Sequence, residues 1–195
     1  LAFQNAIDMI AIKLMEDGWQ KGDVIVSMLP LLPEHIFFEY ACFKLGVIFC
    51  PLDVRLKEPE VVRCVKLLKD ARRVCFLHPD DTESTDKWGN YKYYPFKEYA
   101  RSVRKKVPSV KDYIQFGPEE DADVSNGAVG VLEYTKGLKQ KYLFYKKHPN
   151  ILKEKMAKVE EMATKVKDDD PILIIYTTGT TGFPKPAMLT NMGIV

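Results

Sequence analysis

Apolar side chains recur at Phe3, Ala6, Ile7, Ile10, Ala11 and Leu14, with Gln4, Asn5, Asp8 and Glu16 off that stripe. Spacings of three and four place one face of a helix against a core, and Gly18 ends it. The period then changes. Val24-Ile25-Val26-Ser27-Met28-Leu29 is too short and too β-branched for a helix and is closed by Pro30 and Pro33, so it reads as a buried strand. Pro33 suits the first turn of a second helix and Gly46 its stop, with Ile36, Phe37, Tyr40, Ala41 and Phe43 supplying apolar contacts. A strand from Val47 to Cys50 follows. Pro59 opens a helix with Val61, Val62, Val65 and Leu68 on one face, and Val74 to Leu77 is a third strand. The order β-α-β-α-β predicts an α/β layered fold, a mostly parallel sheet flanked by helices.

The chain turns polar from Asp80 to Tyr94, with Gly89-Asn90 at a turn. A helix from Pro95 to about Lys106 then leads to a strand at Tyr113 to Phe116. Glu119 to Gly130 is an acidic loop. Tyr134 to Lys147 interleaves aromatics with five lysines, a pattern that would suit nucleic acid or lipid headgroups but is more simply a solvated helix face with aromatic undersides. Ile151 to Lys167 has Glu and Lys at helical spacing and is expected to be an exposed helix. Asp168-Asp169-Asp170 reads as a solvated turn rather than a cation site.

With 195 residues the chain suits one domain, about 150 residues being usual. Hydrophobic residues are 46% and charged residues 29%, which excludes a disordered or fibrous chain. Lys plus Arg number 29 against 27 Asp plus Glu, so net charge points to neither a nucleic-acid nor a membrane partner, and any anion site must be local. Cys42, Cys50, Cys64 and Cys75 lack CxxC spacing and sit in apolar surroundings. They are expected to be free buried thiols, which implies a reducing compartment and a cytoplasmic location. No run approaches the roughly 20 apolar residues of a membrane span. His35, His78 and His148 are isolated, so none is assigned to catalysis. The start at Leu1 in mid-pattern suggests a fragment.

Chemistry concentrates near the end. The strand Pro171 to Tyr176 runs into Thr177-Thr178-Gly179-Thr180-Thr181-Gly182-Phe183-Pro184-Lys185-Pro186. Glycines let the backbone approach a ligand and turn its N–H groups into one concavity. Four threonine hydroxyls add donors, and Lys185 adds a compact positive charge suited to a leaving pyrophosphate. The pattern reads as a triphosphate loop, with a Thr/Gly-rich surface hairpin as the alternative that composition alone leaves open. It is not the P-loop, because Lys185 lies between two prolines and cannot open a helix. Strand, loop, strand is predicted instead.

The string YTTGTTGFPK resembles the signature loop of the adenylate-forming superfamily, which includes acyl-CoA synthetases, luciferases and peptide-synthetase adenylation domains. Lys21-Gly22-Asp23, Phe43-Lys44-Leu45-Gly46, Pro51-Leu52-Asp53-Val54-Arg55-Leu56 leading to Glu60, and Val107-Pro108-Ser109-Val110-Lys111 are similar to that family's N-terminal half in the same order. The resemblance implies that residues 1–195 are an incomplete N-terminal AMP-binding domain ending just after its phosphate-binding loop. It implies an acid–thiol ligase: a carboxylic acid, expected to be fatty, attacks the α-phosphate of ATP, and coenzyme A then takes the acyl group. Thr177, Thr178, Gly179, Thr180, Thr181, Gly182, Pro184 and Lys185 would bind the nucleotide, with Lys185 also catalytic. Mg2+ would enter as the counter-ion of ATP, and no protein metal ligand is assigned. The alternatives are an acyl-AMP ligase loading a carrier protein, or a non-catalytic nucleotide-binding or interaction module. The partners implied are the acid and coenzyme A, with no nucleic acid; a homo-oligomer is compatible. The remaining catalytic groups would lie beyond Val195, so this stretch alone is expected to be inactive. Two positions depart from the family: Pro186 replaces the usual glycine, which predicts a stiffer loop exit, and Thr178 replaces a frequent serine.

Overall fold

Continuous apolar runs such as Val24 to Ser27 can be satisfied only by burial on both faces, and the sheet is built on them. The computed structural model describes residues 3–85, 87–116, 128–130, 132–178 and 184–194. Its elements are α1 (Phe3–Glu16), β1 (Val24–Ser27), α2 (Pro33–Leu45), β2 (Ile48–Pro51), α3 (Glu58–Lys66), β3 (Val74–Pro79), β4 (Thr82–Thr85), β5 (Tyr91–Tyr94) and α4 (Phe96–Lys106). There follow β6 (Asp112–Phe116), β7 (Ala128–Gly130), α5 (Leu132–Lys147), α6 (Pro149–Ala163), β8 (Pro171–Thr178), β9 (Pro184–Thr190) and a 3-10 turn at Asn191–Gly193.

Among the described residues seven strands form one sheet in the order β7-β6-β3-β1-β2-β8-β9, while β4 and β5 form a separate hairpin. All neighbouring pairs in the large sheet are parallel except β8 and β9. The predicted fold class is therefore present. Alternate strand residues face opposite layers. Ile25, Phe49, Cys75 and Leu173 join Ile10, Phe38, Tyr145 and Val159 beneath α1, α2, α5 and α6. Val24, Val26, Cys50, Phe76 and Ile174 join Val61, Val65, Phe96 and Val103 beneath α3 and α4.

Polar ties join neighbouring turns and helices. The Asp23 carboxylate, wholly buried, accepts from the Gln20 amide at 2.8 Å and pairs with Arg72. Lys21 reaches Asp170 at 2.5 Å, anchoring the turn before β8 to the turn before β1. Lys44 bridges Asp8 at 3.2 Å and Glu160 at 2.7 Å, joining α1, α2 and α6. Gly46 closes α2 in the left-handed region at φ +70°, where a Cβ would lie 3.0 Å from Val166 and strain the cap.

Three differences from the sequence reading have simple causes. The polar stretch from Asp80 to Tyr94 folds as the β4–β5 hairpin around Gly89, because its exposed Thr and Tyr residues pair across the strands rather than burying a face. The acidic stretch expected as loop up to Gly130 ends in strand β7, whose main chain pairs with β6 from Tyr113↔Ala128 to Gln115↔Gly130; the rest of that stretch, through residue 127, lies outside the described residues. The last helix runs Pro149–Ala163, earlier at both ends than expected, since Pro149 is well placed in a first turn.

Candidate functional site

In open parallel sheets ligands collect outside the carboxyl ends of the strands, where loops diverge. At that edge β8 lies beside β2, with Phe49 opposite Leu173. A cleft of about 290 Å3 opens between Pro51, Leu52, Asp53 and Leu56 on one side and Ile175, Tyr176, Thr177 and Pro184 on the other. Its floor joins the end of β2 to the root of the β8–β9 hairpin.

The hairpin is narrower than the sequence suggests. Thr178 pairs with Pro184, Thr177 with Lys185 and Tyr176 with Pro186, so the outer members of the ten-residue string belong to the ladder. Gly179, Thr180, Thr181, Gly182 and Phe183 form the connection and lie outside the described residues. The Thr177 hydroxyl donates to the Lys185 carbonyl at 3.4 Å, closing the root. The Lys185 side chain is exposed and forms no ion pair among the described residues. Pro184 and Pro186 alternate along β9, the last strand of the sheet among the described residues, a placement where a missing N–H need not face the ladder. Pro186 is thus a member of a paired strand, opposite Tyr176, and not of the connection whose exit it was expected to stiffen.

Tyr176 braces the hairpin from below. Its hydroxyl donates to the Cys64 carbonyl in α3 at 2.5 Å, and burial beside Cys50 and Cys64 pushes the phenol far above its ordinary range. Asp53, on the opposite wall, is gripped by Arg55 through Nε at 2.9 Å and Nη2 at 2.5 Å. That hydrogen-bonded pair holds the Asp53 carboxyl below the usual carboxylate range. Neither Tyr176 nor Asp53 was singled out as a site residue by the sequence. The signal for both is positional, since each follows or ends a strand whose neighbour is known only once the strand order is.

Among the described residues no three His, Cys, Asp or Glu side chains converge as a metal site. Asp170 caps the turn expected there, accepting from the Lys167 amide at 2.6 Å and pairing with Lys21. The four cysteines are free and buried, as expected, and burial raises the thiols of Cys42, Cys50 and Cys75 well above their ordinary value and that of Cys64 to about 11. His35 and His78 are core residues, with Nδ1 set 3.2 Å from the Leu29 carbonyl and 2.8 Å from the Pro79 carbonyl; His148 is exposed and stacks on Phe144.

A family model described as AMP-binding enzyme matches residues 2–195. The chain belongs to this family. Among curated relatives, the mitochondrial acyl-coenzyme A synthetase ACSM1 of Homo sapiens is 25% identical over 170 residues, covering 87% of this chain and 22% of that protein. An acetyl-coenzyme A synthetase of Parvibaculum lavamentivorans is 26% identical over 182 residues, covering 90% of this chain and 23% of its own length. The acetoacetyl-CoA synthetase from Streptomyces lividans superposes with a TM-score of 0.65 at 16% identity, over 98% of this chain and 25% of that one. The N-terminal domain of FACL13 from Mycobacterium tuberculosis gives 0.57 at 21% identity, over 97% and 36%. The chain thus spans about a quarter of the length of the curated relatives it matches. It shares the layered α/β fold of adenylate-forming enzymes' N-terminal domains.

Proposed function

We propose that this AMP-binding chain supplies the triphosphate-gripping part of an ATP-dependent acid–thiol ligase. The observation that carries the reading is that Thr177 to Lys185 bridges two antiparallel strands at the carboxyl edge of a parallel sheet, beside a cleft, with a lysine at its root. Such a bridge can close on an anion: its backbone N–H groups and hydroxyls donate to the β- and γ-phosphates, and Lys185 offsets the charge that develops on pyrophosphate as it leaves. The carboxylate attacks the α-phosphate and pyrophosphate departs; a thiol then attacks the acyl carbonyl of the acyl-adenylate, forming the thioester as AMP leaves. Magnesium would accompany the triphosphate as its counter-ion and offset part of its charge, with no protein ligand assigned to it.

The sites assigned to the nucleotide are Thr177, Thr178, Gly179, Thr180, Thr181, Gly182, Pro184 and Lys185, and residues 1–195 form part of an N-terminal AMP-binding domain. Relatives named as acyl- and acetyl-coenzyme A synthetases support coenzyme A as acceptor in preference to a carrier protein. A fatty acid substrate and a cytoplasmic location belong to the same proposal; no helix among the described residues is long and apolar enough to cross a membrane. In the full-length protein, acid-dependent exchange of pyrophosphate into ATP tests the reading. Lys185→Ala should slow that exchange about a hundredfold or more, the usual cost of removing one transition-state donor. Exchange that is absent from the parent protein, or unchanged in the variant, would refute it.

A further inference from the structure

The acid-free basic stretch is untouched by the nucleotide reading. From Tyr134 to Lys153, twenty consecutive residues contain six lysines and no Asp or Glu, in a chain whose net charge is only +2. The fold sorts this stretch by side. Tyr145 is buried and Tyr142 packs against the same core, whereas Leu143 is 49% exposed, Phe144 47% and Ile151 37%. The lysines are sorted too. Lys141 and Lys155 both reach Glu16, and Lys158 holds Glu154. Lys146, Lys147 and Lys153 are exposed and have no carboxylate partner among the described residues. Lys146 and Lys147 follow Leu143 and Phe144 at the end of α5, and Lys153 follows Ile151 in α6, with His148 between the two helices and Pro149 opening the second.

We propose that this α5–α6 corner is a docking surface for an anionic lipid bilayer. Apolar side chains at a helix corner can enter the headgroup region while the lysines around them meet acidic headgroups, and neither term alone holds a protein on a membrane. The surface lies on the layer of α1, α2, α5 and α6, the face away from α3 and α4, so docking there does not involve Tyr176 or its bond to α3. Nucleic acid fits the charge but not the apolar groups. Leu143 and Ile151 have no ring to stack on a base, and one face of the Phe144 ring is already stacked on His148 at 4.2 Å. Protein–membrane attraction of this kind is screened within about 8 Å at physiological salt, so it should weaken steeply as salt rises.

Co-sedimentation of the full-length protein with phosphatidylcholine vesicles, with and without phosphatidylserine, tests the surface. Binding is expected only when the acidic lipid is present. A lysine near such a surface strengthens partition about fivefold, so joint Lys146→Gln, Lys147→Gln and Lys153→Gln should lower it roughly a hundredfold. Phe144→Ser with Leu143→Ser should weaken binding while leaving its salt dependence in place. Circular dichroism that overlays the parent shows that these exposed substitutions leave the fold intact. Absence of binding to the acidic vesicles, equal binding to neutral ones, or binding indifferent to the three glutamines would overturn the proposal. So would tighter binding to a single-stranded RNA oligonucleotide than to the vesicles, lost in the same glutamine variant.

Discussion

At the scale of single residues, the fold places His35, His78 and Tyr145 in its core. His78 is 2% exposed at the carboxyl end of β3, stacked on Phe76, with Asp80, Asp81 and Lys97 as its charged neighbours. Burial pulls its imidazole down to about 4, outweighing the Pro79 carbonyl and the two aspartates that favour the charged form. The unfolded chain, with an ordinary imidazole near 6.5, then binds more protons than the folded one between those values, so stability is complete above about pH 6.5 and falls as pH drops toward 4. Urea denaturation should show a loss of about 2 kcal/mol at about pH 5 relative to neutrality from this group, and His78→Asn should remove that share of the pH dependence. An unaltered pH profile in the variant would assign the loss to other groups. That His78 stands apart from other candidate catalytic groups along the chain could be read from the sequence. Its burial could not, because only the pairing of β3 with β6 places Gln115 beside it.

At the scale of elements, periodicity identified the helices and the buried strands because their apolar positions follow 3.6 or run unbroken. It did not identify β4, β5 or β7. The first two are exposed except for Tyr94 and leave no alternation to detect, and the third is three residues long. The string from Thr177 to Pro186 could be read as strand, loop and strand, yet the register could not, and the register is what moves Pro186 from a loop exit into β9 opposite Tyr176. Proline there fixes φ and withholds one N–H from either the ladder or a phosphate. Pro186→Gly in the full-length protein restores that donor, and KM for ATP should fall by about fivefold, as for one net hydrogen bond of about 1 kcal/mol. Steady-state kinetics that leave both KM and kcat unchanged would show that the ring has no part in closure.

At the scale of the whole molecule, two cores on opposite faces of one parallel sheet hold β8 against β2, and that placement presents the hairpin to the cleft. The nucleotide role of the hairpin rests on the proposal; its candidacy was legible, from glycines, hydroxyls and one lysine in an order that resembles a family signature. The opposite wall was not, because Pro51 to Leu56 is more than a hundred residues away and becomes its neighbour only through the strand order. If the hairpin holds the terminal phosphates, its lysine must distinguish nucleotides by their phosphate number. Calorimetric titration of the full-length protein with ATP and with AMP, for parent and Lys185→Ala, measures that distinction. The predicted result is ATP affinity weakened about 10- to 100-fold, as for loss of a charged hydrogen bond, with AMP affinity unchanged. Equal weakening of both nucleotides, or no change in either, would contradict the claim that this hairpin grips the triphosphate.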